Sequence, residues 1–293
     1  MHTILRSATK QVIIGDDQPF CIIGERINPT GRKRFQEQLR AGDLSAIETD
    51  VHAQVAGGAM VLDVNMGVPL TDEAELLSNA VKLVQTLTDL PICIDSSVVE
   101  ALEAGLAAYE GKALVNSVTV EDERMEVILP LVKRHDAAII ALPNDEIEIP
   151  IDPKRRVELT KKFVDIATTK YGIDIENIVI DPLAMPIGAD SLHADRTMDA
   201  IWMIHEEIGV NMTLGASNVS FGMPDRHTLN AVFLPMAMRA GLTSAIMDAR
   251  TPHVVTAVKG ADLMLGNDEW GASWIQAHRT KQAAEAEAAA SEF

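Results

Sequence analysis

Residues 21–28 read CIIGERIN, a short apolar run that ends in acidic and amide side chains. The pattern returns seven times, as MVLDVN at 60–65, ICIDSS at 92–97, ALVNS at 113–117, AAIIALPND at 137–145, NIVIDP at 177–182, MTLGASN at 212–218 and SAIMDA at 244–249. Runs rich in Val, Ile and Leu without polar alternation are typical of strands buried on both faces, as in a parallel sheet covered by helices. The sequence therefore predicts eight parallel strands.

The segments between these runs have the length of crossover helices. Over 43–57, apolar residues recur at helical spacing, with Asp43 as a candidate N-cap and Gly57-Gly58 as the end. Further helices are predicted over 72–88, 98–109, 121–135, 154–170, 194–208, 226–239 and 252–264. Eight strand-helix units favour an α/β fold of the (β/α)₈ or TIM-barrel type, with a doubly wound open sheet as the alternative. We expect one domain over 1–293, with a barrel core at about 20–270 and an Ala/Glu-rich tail at 280–293.

Composition narrows the class of protein. No apolar run approaches the roughly 20 residues that a membrane span requires, and the N-terminus lacks a signal-peptide pattern. The net charge of −18 argues against nucleic acid as a partner. Both cysteines, Cys21 and Cys93, fall in predicted strands, which is consistent with a reduced, cytoplasmic protein. The clusters Arg32-Lys33-Arg34 and Lys154-Arg155-Arg156 are interpreted first as solvated segments and second as anion sites.

The polar ends of parallel strands meet at one rim of a barrel, where barrel active sites form. No histidine pair of metal-ligand spacing, phosphate-binding glycine loop or GxSxG elbow is present in the sequence. Acid-base chemistry by paired carboxylates stays open. The mixture of Asp and Asn is better suited to a flat heterocycle, because a carboxylate accepts from an amino group and an adjacent ring N–H together.

Six motifs carry a resemblance to a known family: GERIN at 24–28, LDVN at 62–65, CIDSS at 93–97, VNS at 115–117, IDPL at 180–183 and GASNVSFG at 215–222. They resemble the pterin-binding methyltransferases that use methyltetrahydrofolate and a corrinoid protein, including the folate domain of cobalamin-dependent methionine synthase. The resemblance implies a pterin-binding TIM barrel, usually a homodimer. It also implies that Asp95, Asn116 and Asp181 hold the pterin, while Asn218 lies near the methyl-bearing nitrogen.

Five further residues are candidates for the same pocket. Glu25, Asn28, Asp63 and Asn65 could contact the pterin or order the loops, and Arg226 could meet the ligand's anionic tail or form a surface salt bridge. The resemblance implies methyl transfer between a pterin nitrogen and the cobalt of cobalamin carried by a separate protein, with no intrinsic metal. The direction of transfer stays open. The alternatives are an enzyme like dihydropteroate synthase and a non-catalytic folate-binding protein.

Overall fold

A computed structural model describes residues 1–147 and 149–291. The strands are β1 (Thr3–Arg6), β2 (Gln11–Ile14), β3 (Cys21–Ile27), β4 (Val61–Asn65), β5 (Ile92–Asp95), β6 (Leu114–Thr119), β7 (Ala138–Leu142), β8 (Ile178–Ile180), β9 (Asn211–Met212) and β10 (Ser244–Met247). The helices are α1 (Lys33–Arg40), α2 (Ser45–Gly57), α3 (Glu73–Leu87), α4 (Val99–Ala108), α5 (Asp122–Arg134), α6 (Pro153–Asp165), α7 (His193–Glu207), α8 (Arg226–Ala240), α9 (Pro252–Leu265) and α10 (Ala272–Ser291).

Strands β3 to β10 form one parallel sheet that curls into a barrel. Neighbours along the chain pair from β3 through β9, and β10 returns to pair with β3, with Ser244 opposite Cys21. The gap between β9 and β10 is bridged by two backbone hydrogen bonds, from Ala216 N to Ile246 O at 3.0 Å and from Ile246 N to Leu214 O at 2.9 Å. The predicted (β/α)₈ barrel is therefore confirmed, and the open sheet is excluded.

Most of the predicted strands are shorter in the structure. The run at 212–218 contributes only Met212 to β9, because the chain then turns and Asn218 N donates to Gly215 O at 3.1 Å. The run at 137–145 ends as a strand at Leu142. The helix expected from Asp43 begins at Ser45, whose N–H donates to the Asp43 carboxylate at 2.9 Å.

A hairpin that the sequence did not predict closes the bottom of the barrel. Strands β1 and β2 pair antiparallel, and Leu5, Val12 and Ile14 pack against inward-facing strand residues of the barrel. The Asn211 amide donates to Ile14 O at 2.9 Å and to Thr3 Oγ1 at 3.0 Å, which ties the hairpin to β9. The barrel interior is therefore filled from below, and its open end is the C-terminal rim of the strands.

The main core lies between the strands and the surrounding helices. Helix α2 ends at Gly58, whose φ of 101° belongs to the left-handed region that glycine adopts without strain. A Cβ on the preceding Gly57 would lie 2.2 Å from Ala249 O, so glycine is required where α2 meets the segment after β10. Within the described residues, no helix combines the length and apolarity needed to cross a membrane.

Candidate functional site at the barrel mouth

Strand register brings three predicted residues into one row at the mouth. Asn65 on β4 lies opposite Asp95 on β5, and Asp95 lies opposite Asn116 on β6. Two residues before Asn65 on β4, Asp63 is buried and accepts a hydrogen bond from Asn116 Nδ2 at 3.2 Å. The sequence pattern of polar residues ending neighbouring strands thus yields a continuous polar patch of two carboxyls and two amides.

Both carboxyls of this patch have raised pKa values. Burial, together with the nearby Asp95 carboxyl, raises the pKa of Asp63 well above its usual range, although hydrogen bonds from Cys93 and Asn116 oppose the shift. Burial raises the pKa of Asp95 to about 6, against a hydrogen bond with Asn65 that lowers it. Among the residues that the structure describes, no cation pairs with these carboxyls, so a ligand that donates hydrogen bonds would stabilise their charged forms.

Asp181 stands at the end of β8 on the same rim. Its backbone N–H donates to Ala141 O at 2.9 Å, and its Oδ1 accepts from Leu183 N at 2.8 Å. Burial raises the pKa of Asp181 to about 6, and the Leu183 N–H and Arg156 partly offset that rise. Its Oδ2 has no hydrogen-bond partner among the described residues, so this oxygen is available to a ligand.

Arg156 on α6 supports Asp181 from behind, a role that neither interpretation of the Lys154-Arg155-Arg156 cluster anticipated. The side chain is fully buried, and its guanidinium donates to the carbonyls of Pro150, Pro182 and Leu183 at 2.7–2.8 Å. Burial lowers the pKa of Arg156 to about 10, which still leaves the group charged at neutral pH. Arg156 therefore fixes the loop that follows β8.

Glu25 lies across the mouth, on β3. Burial and the nearby Asp248 raise the pKa of Glu25 to about 7, against the opposing influence of Arg26 and Arg226. The Glu25 carboxyl also contributes to the raised pKa of Asp63. Glu25 thus belongs to the same electrostatic group as the patch on β4 to β6.

Asn218 lies in the loop between β9 and α8, and Arg226 is the first residue of α8. The exposed side chain of Asn218 has no hydrogen-bond partner among the described residues, and two turns hold its backbone. Arg226 donates to Ser217 O at 2.7 Å and to Ser220 Oγ at 3.2 Å, so it fastens the loop to the start of α8. The surface salt bridge considered for Arg226 is absent from the described residues.

The mouth as a whole is a set of acceptors together with one amide, Asn218, whose side chain has no partner among the described residues. Such a set can bind a planar, nitrogen-rich ring through its amino and ring N–H groups. A family model described as pterin binding enzyme matches residues 24–248. The chain belongs to the pterin-binding enzymes. The resemblance stated from the motifs is confirmed at the level of this family.

Two curated relatives extend the comparison. This pterin-binding enzyme is 33% identical to the methylcorrinoid:tetrahydrofolate methyltransferase of Eubacterium limosum over 266 residues, 88% of this chain and 96% of that protein. It is 35% identical to the methionine synthase of Mycobacterium leprae (strain TN) over 241 residues, which cover 78% of this chain and 20% of that protein. The match to methionine synthase is therefore to one part of a much longer chain.

Solved structures of the same fold include two dihydropteroate synthases. The enzyme of Xanthomonas albilineans in complex with indole-2-carboxylic acid and 6-chloroguanine superimposes with a TM-score of 0.68 at 18% identity, over 89% of this chain and 98% of that one. The enzyme of Stenotrophomonas maltophilia with active site-bound imidazole gives a TM-score of 0.66 at 18% identity, over 86% and 95%. At these identities the likeness shows the barrel fold alone.

Some predicted rim residues of this pterin-binding enzyme form hydrogen bonds or ion pairs with neighbouring protein groups. Asn28 accepts from Thr30 N at 2.8 Å and orders the turn after β3. Asp145 pairs with Arg155 at 2.8 Å. Asp248 accepts from Gln54 and from Arg250, each at 2.7 Å. These three side chains stabilise loops around the mouth, because local hydrogen bonds and ion pairs occupy their oxygens.

The Arg32-Lys33-Arg34 cluster is also partly structural. Arg32 pairs with the buried carboxylate of Asp50 at 2.6 Å and donates to Arg26 O at 2.7 Å. The interpretation of this cluster as a solvated segment is wrong for Arg32, because the pair joins the loop after β3 to helix α2. In the described part of the chain, no three His, Cys, Asp or Glu side chains are grouped as metal ligands.

Proposed function

We propose that this pterin-binding enzyme moves a methyl group between the pterin nitrogen of methyltetrahydrofolate and the cobalt of a corrinoid protein. The observation that carries the proposal is the acceptor set of Asp95, Asn116 and Asp181 at the barrel mouth, combined with the Asn218 amide, which has no partner within residues 1–147 and 149–291. The similarity to the methylcorrinoid:tetrahydrofolate methyltransferase of Eubacterium limosum along nearly all of that protein supports the choice of reaction.

The acceptors suit the amino-pyrimidinone edge of a pterin. Asp181 offers its Oδ2, and Asp95 lies beside Asn116, which can donate or accept. Binding this edge would stabilise the charged forms of the two aspartates, because ring N–H and amino donors favour a carboxylate over a carboxyl. Asp63 and Asn65 complete the patch by hydrogen-bonding Asn116 and Asp95.

Asn218 is proposed to act at the reacting nitrogen. An amine is a poor leaving group, so the nitrogen must gain a proton or a hydrogen bond as its bond to the methyl carbon breaks. Asn218 cannot supply a proton, but its carbonyl oxygen can stabilise a protonated amine or orient a water molecule. Because its amide has no competing partner among the described residues, it can turn to the ligand at little cost.

The second substrate is proposed to be a corrinoid held by a separate protein. When bound, the corrinoid supplies the cobalt that gives or accepts the methyl group. The name of the Eubacterium limosum relative gives methylcorrinoid as donor and tetrahydrofolate as acceptor. The same residues serve either direction, because a catalyst lowers the barrier both ways. In this chain the pterin site occupies a barrel rim, which is a surface that a partner protein can approach.

A homodimer in the cytoplasm completes the proposal. Exposed apolar side chains occur on three consecutive helices, namely Trp202 on α7, Val232 and Met236 on α8, and Met264 on α9. Exposed apolar patches commonly mark protein interfaces. Light scattering of the purified protein should give twice the mass of the chain, and Met236→Glu should shift it to the monomer.

The two alternatives make different predictions. Dihydropteroate synthase needs a cation for the diphosphate of its substrate, and the place after the seventh barrel strand reads Ser217-Asn218-Val219-Ser220, without a lysine. A non-catalytic binding protein would keep the pocket and show no turnover. The shared fold with dihydropteroate synthases does not favour that activity, because unrelated chemistries use one fold.

Methyl transfer to chemically reduced free cobalamin tests the proposal. With methyltetrahydrofolate present, the wild-type protein should produce the absorbance spectrum of methylcobalamin. Asn218→Ala should lower the rate by about 100-fold, a loss typical of removing one preorganised polar group, while the Kd for tetrahydrofolate changes little. Formation of dihydropteroate from a dihydropterin diphosphate and 4-aminobenzoate, without methyl transfer, would contradict the proposal.

A further inference from the structure

A side cavity of about 250 Å³ opens beside the mouth, between the ends of β3 and β10 and the start of α8. Its polar lining comes from Glu25, Arg226, His227, Asn230 and Asp248. Ala216 and Ser217 also line it, which places the cavity against the loop that carries Asn218. None of the roles assigned above to the pterin site uses this space.

Asn230 has an unsatisfied acceptor and lines the same cavity. Its side chain is only 7% exposed, and its Oδ1 has no hydrogen-bond partner among the described residues. Buried polar atoms nearly always have a partner, and buried water serves those that the protein leaves unpaired. The cavity has room for several water molecules, so a water molecule there can supply the donor for Asn230.

Glu25 lines the same cavity and interacts electrostatically with charged groups on several elements. Asp248 after β10 raises its pKa, whereas Arg26 on β3 and Arg226 on α8 lower it, and burial makes the largest contribution. Asp63 on β4 interacts with Glu25 from inside the barrel, and His227 lines the cavity from α8. The resulting pKa of about 7 lets Glu25 both hold and release a proton near neutral pH.

We propose that Glu25 gives the pterin nitrogen its proton as the methyl group leaves, and that water in the side cavity, held by Asn230, returns a proton to Glu25 from solvent. This inference rests on the methyl transfer proposed above. Asn218 has no proton to give, and Asp63 is buried deeper, where Asn116 already bonds to it. Of the mouth carboxyls, Glu25 and Asp248 border the side cavity. Despite burial, hydrogen bonds from Arg250 and Gln54 lower the pKa of Asp248, so Glu25 is the one of the two that holds a proton near neutral pH.

The O–H bond of the Glu25 carboxyl breaks and an N–H bond forms at the pterin nitrogen. The bond from that nitrogen to the methyl carbon breaks, and the carbon passes to the reduced corrinoid cobalt of the partner, which supplies the electron pair of the new bond. Glu25 is left as a carboxylate and regains a proton through the cavity. In the opposite direction Glu25 takes the proton from the nitrogen.

The proton on Glu25 can be measured without any corrinoid. In protein with ¹³C-labelled glutamate carboxyls, one NMR signal should titrate near pH 7 and disappear in Glu25→Gln. The same signal should titrate at lower pH in Asp248→Asn, because the nearby negative charge is gone. Glu37→Gln, an exposed residue on α1, serves as the matched control and should leave the signal in place.

Kinetics with methyltetrahydrofolate and reduced free cobalamin then test the role. The wild-type rate should fall above about pH 7, since a protonated Glu25 is required. Glu25→Gln should lose at least about 100-fold in rate together with this pH dependence, and keep its Kd for tetrahydrofolate. In Asp248→Asn the transfer rate should begin to fall at a lower pH than in the wild-type protein. In Glu25→Ala, added formate, which is small enough for the cavity, should restore part of the rate.

The outcomes separate this inference from the proposed function. An active wild-type protein whose Glu25→Gln variant keeps its rate and pH profile overturns the role of Glu25 and leaves the methyl transfer standing. A wild-type protein that binds tetrahydrofolate but transfers no methyl group at any pH overturns both. A Glu25 signal that titrates near pH 4 would also overturn the inference, because Glu25 would then hold no proton at neutral pH.

Discussion

Asp181→Asn should change ligand binding and protein stability in opposite directions. The amide oxygen of Asn can keep the hydrogen bond from Leu183 N, now 2.8 Å from Oδ1, while an NH₂ group replaces the free Oδ2. A pterin would lose one charge-assisted acceptor and meet a donor instead. At about 2 kcal/mol for a hydrogen bond to a charged group, the Kd for tetrahydrofolate should rise by about 30-fold.

The stability effect follows from the pKa of Asp181, which burial raises from 3.8 to about 6. Because the pKa of this carboxyl is higher in the folded than in the unfolded protein, the free energy of unfolding decreases as the pH rises from 3.8 to about 6. A shift of one pKa unit corresponds to about 1.4 kcal/mol. Above pH 6 the charged carboxylate therefore lowers the free energy of unfolding of the ligand-free protein by up to about 3 kcal/mol. Asp181→Asn removes that cost and should stabilise the free protein by about 1 to 3 kcal/mol at pH 8. At pH 5 the gain should be roughly half as large.

Urea unfolding of the two proteins without ligand at pH 8 and pH 5, together with fluorescence titration by tetrahydrofolate at pH 8, measures both effects. Asp145→Asn is the matched control, because its carboxylate lies at the end of the neighbouring strand and pairs with Arg155. That variant should bind tetrahydrofolate normally. An Asp181→Asn protein that is less stable than wild type at pH 8, or that binds tetrahydrofolate as tightly, would refute the reasoning.

Three further perturbations have defined outcomes. Lowering the pH from 7.5 to 5 should weaken tetrahydrofolate binding by about 100-fold, because Asp95 and Asp181, each with a pKa of about 6, must both be charged to bind; calorimetry showing a constant Kd would contradict this. Arg156→Met should cost about 3 kcal/mol in urea unfolding and weaken binding, since three carbonyls lose a buried charged donor. Arg155→Met removes the exposed partner of a part-buried pair and should cost less than Arg156→Met, and equal losses would argue against the buried role of Arg156. Leu5→Ala should cost about 2 to 5 kcal/mol in urea unfolding while leaving the Kd for tetrahydrofolate unchanged, and a large change in Kd would mean that the hairpin reaches the mouth.

The fold was predictable because each barrel strand carries its own signal. Strands buried on both faces are apolar throughout, and their polar ends mark where the chain leaves the sheet. Register then brings Asn65, Asp95 and Asn116 together without further information, since in-register neighbours on parallel strands share one level. The motif resemblance pointed to Asp95 and Asn116 as well, and the family match confirmed the resemblance at the level of the family, while the roles of these residues stay predictions.

Other features depend on tertiary contacts that spacing does not encode. Arg156 looks like a member of a surface cluster, yet helix α6 turns it inward toward the carbonyls behind Asp181. The strands of the N-terminal hairpin have four residues each, too few for a clear pattern, and their packing partners lie far along the chain. Asp145 and Asp248 match the rim pattern, but the nearby Arg155 and Arg250 engage them.

The hairpin and the β3–β10 pairing have a consequence for synthesis of the protein on the ribosome. The hairpin strands β1 and β2 bond to Asn211 on β9, and β3 pairs with β10, so each contact joins segments about 200 residues apart. The emerging chain must therefore hold an apolar hairpin and an unpaired strand edge until β9 and β10 have been made. Such nascent chains are targets for chaperones, and slowing translation between β8 and β10 should lower the yield of folded product more than slowing it between β1 and β3.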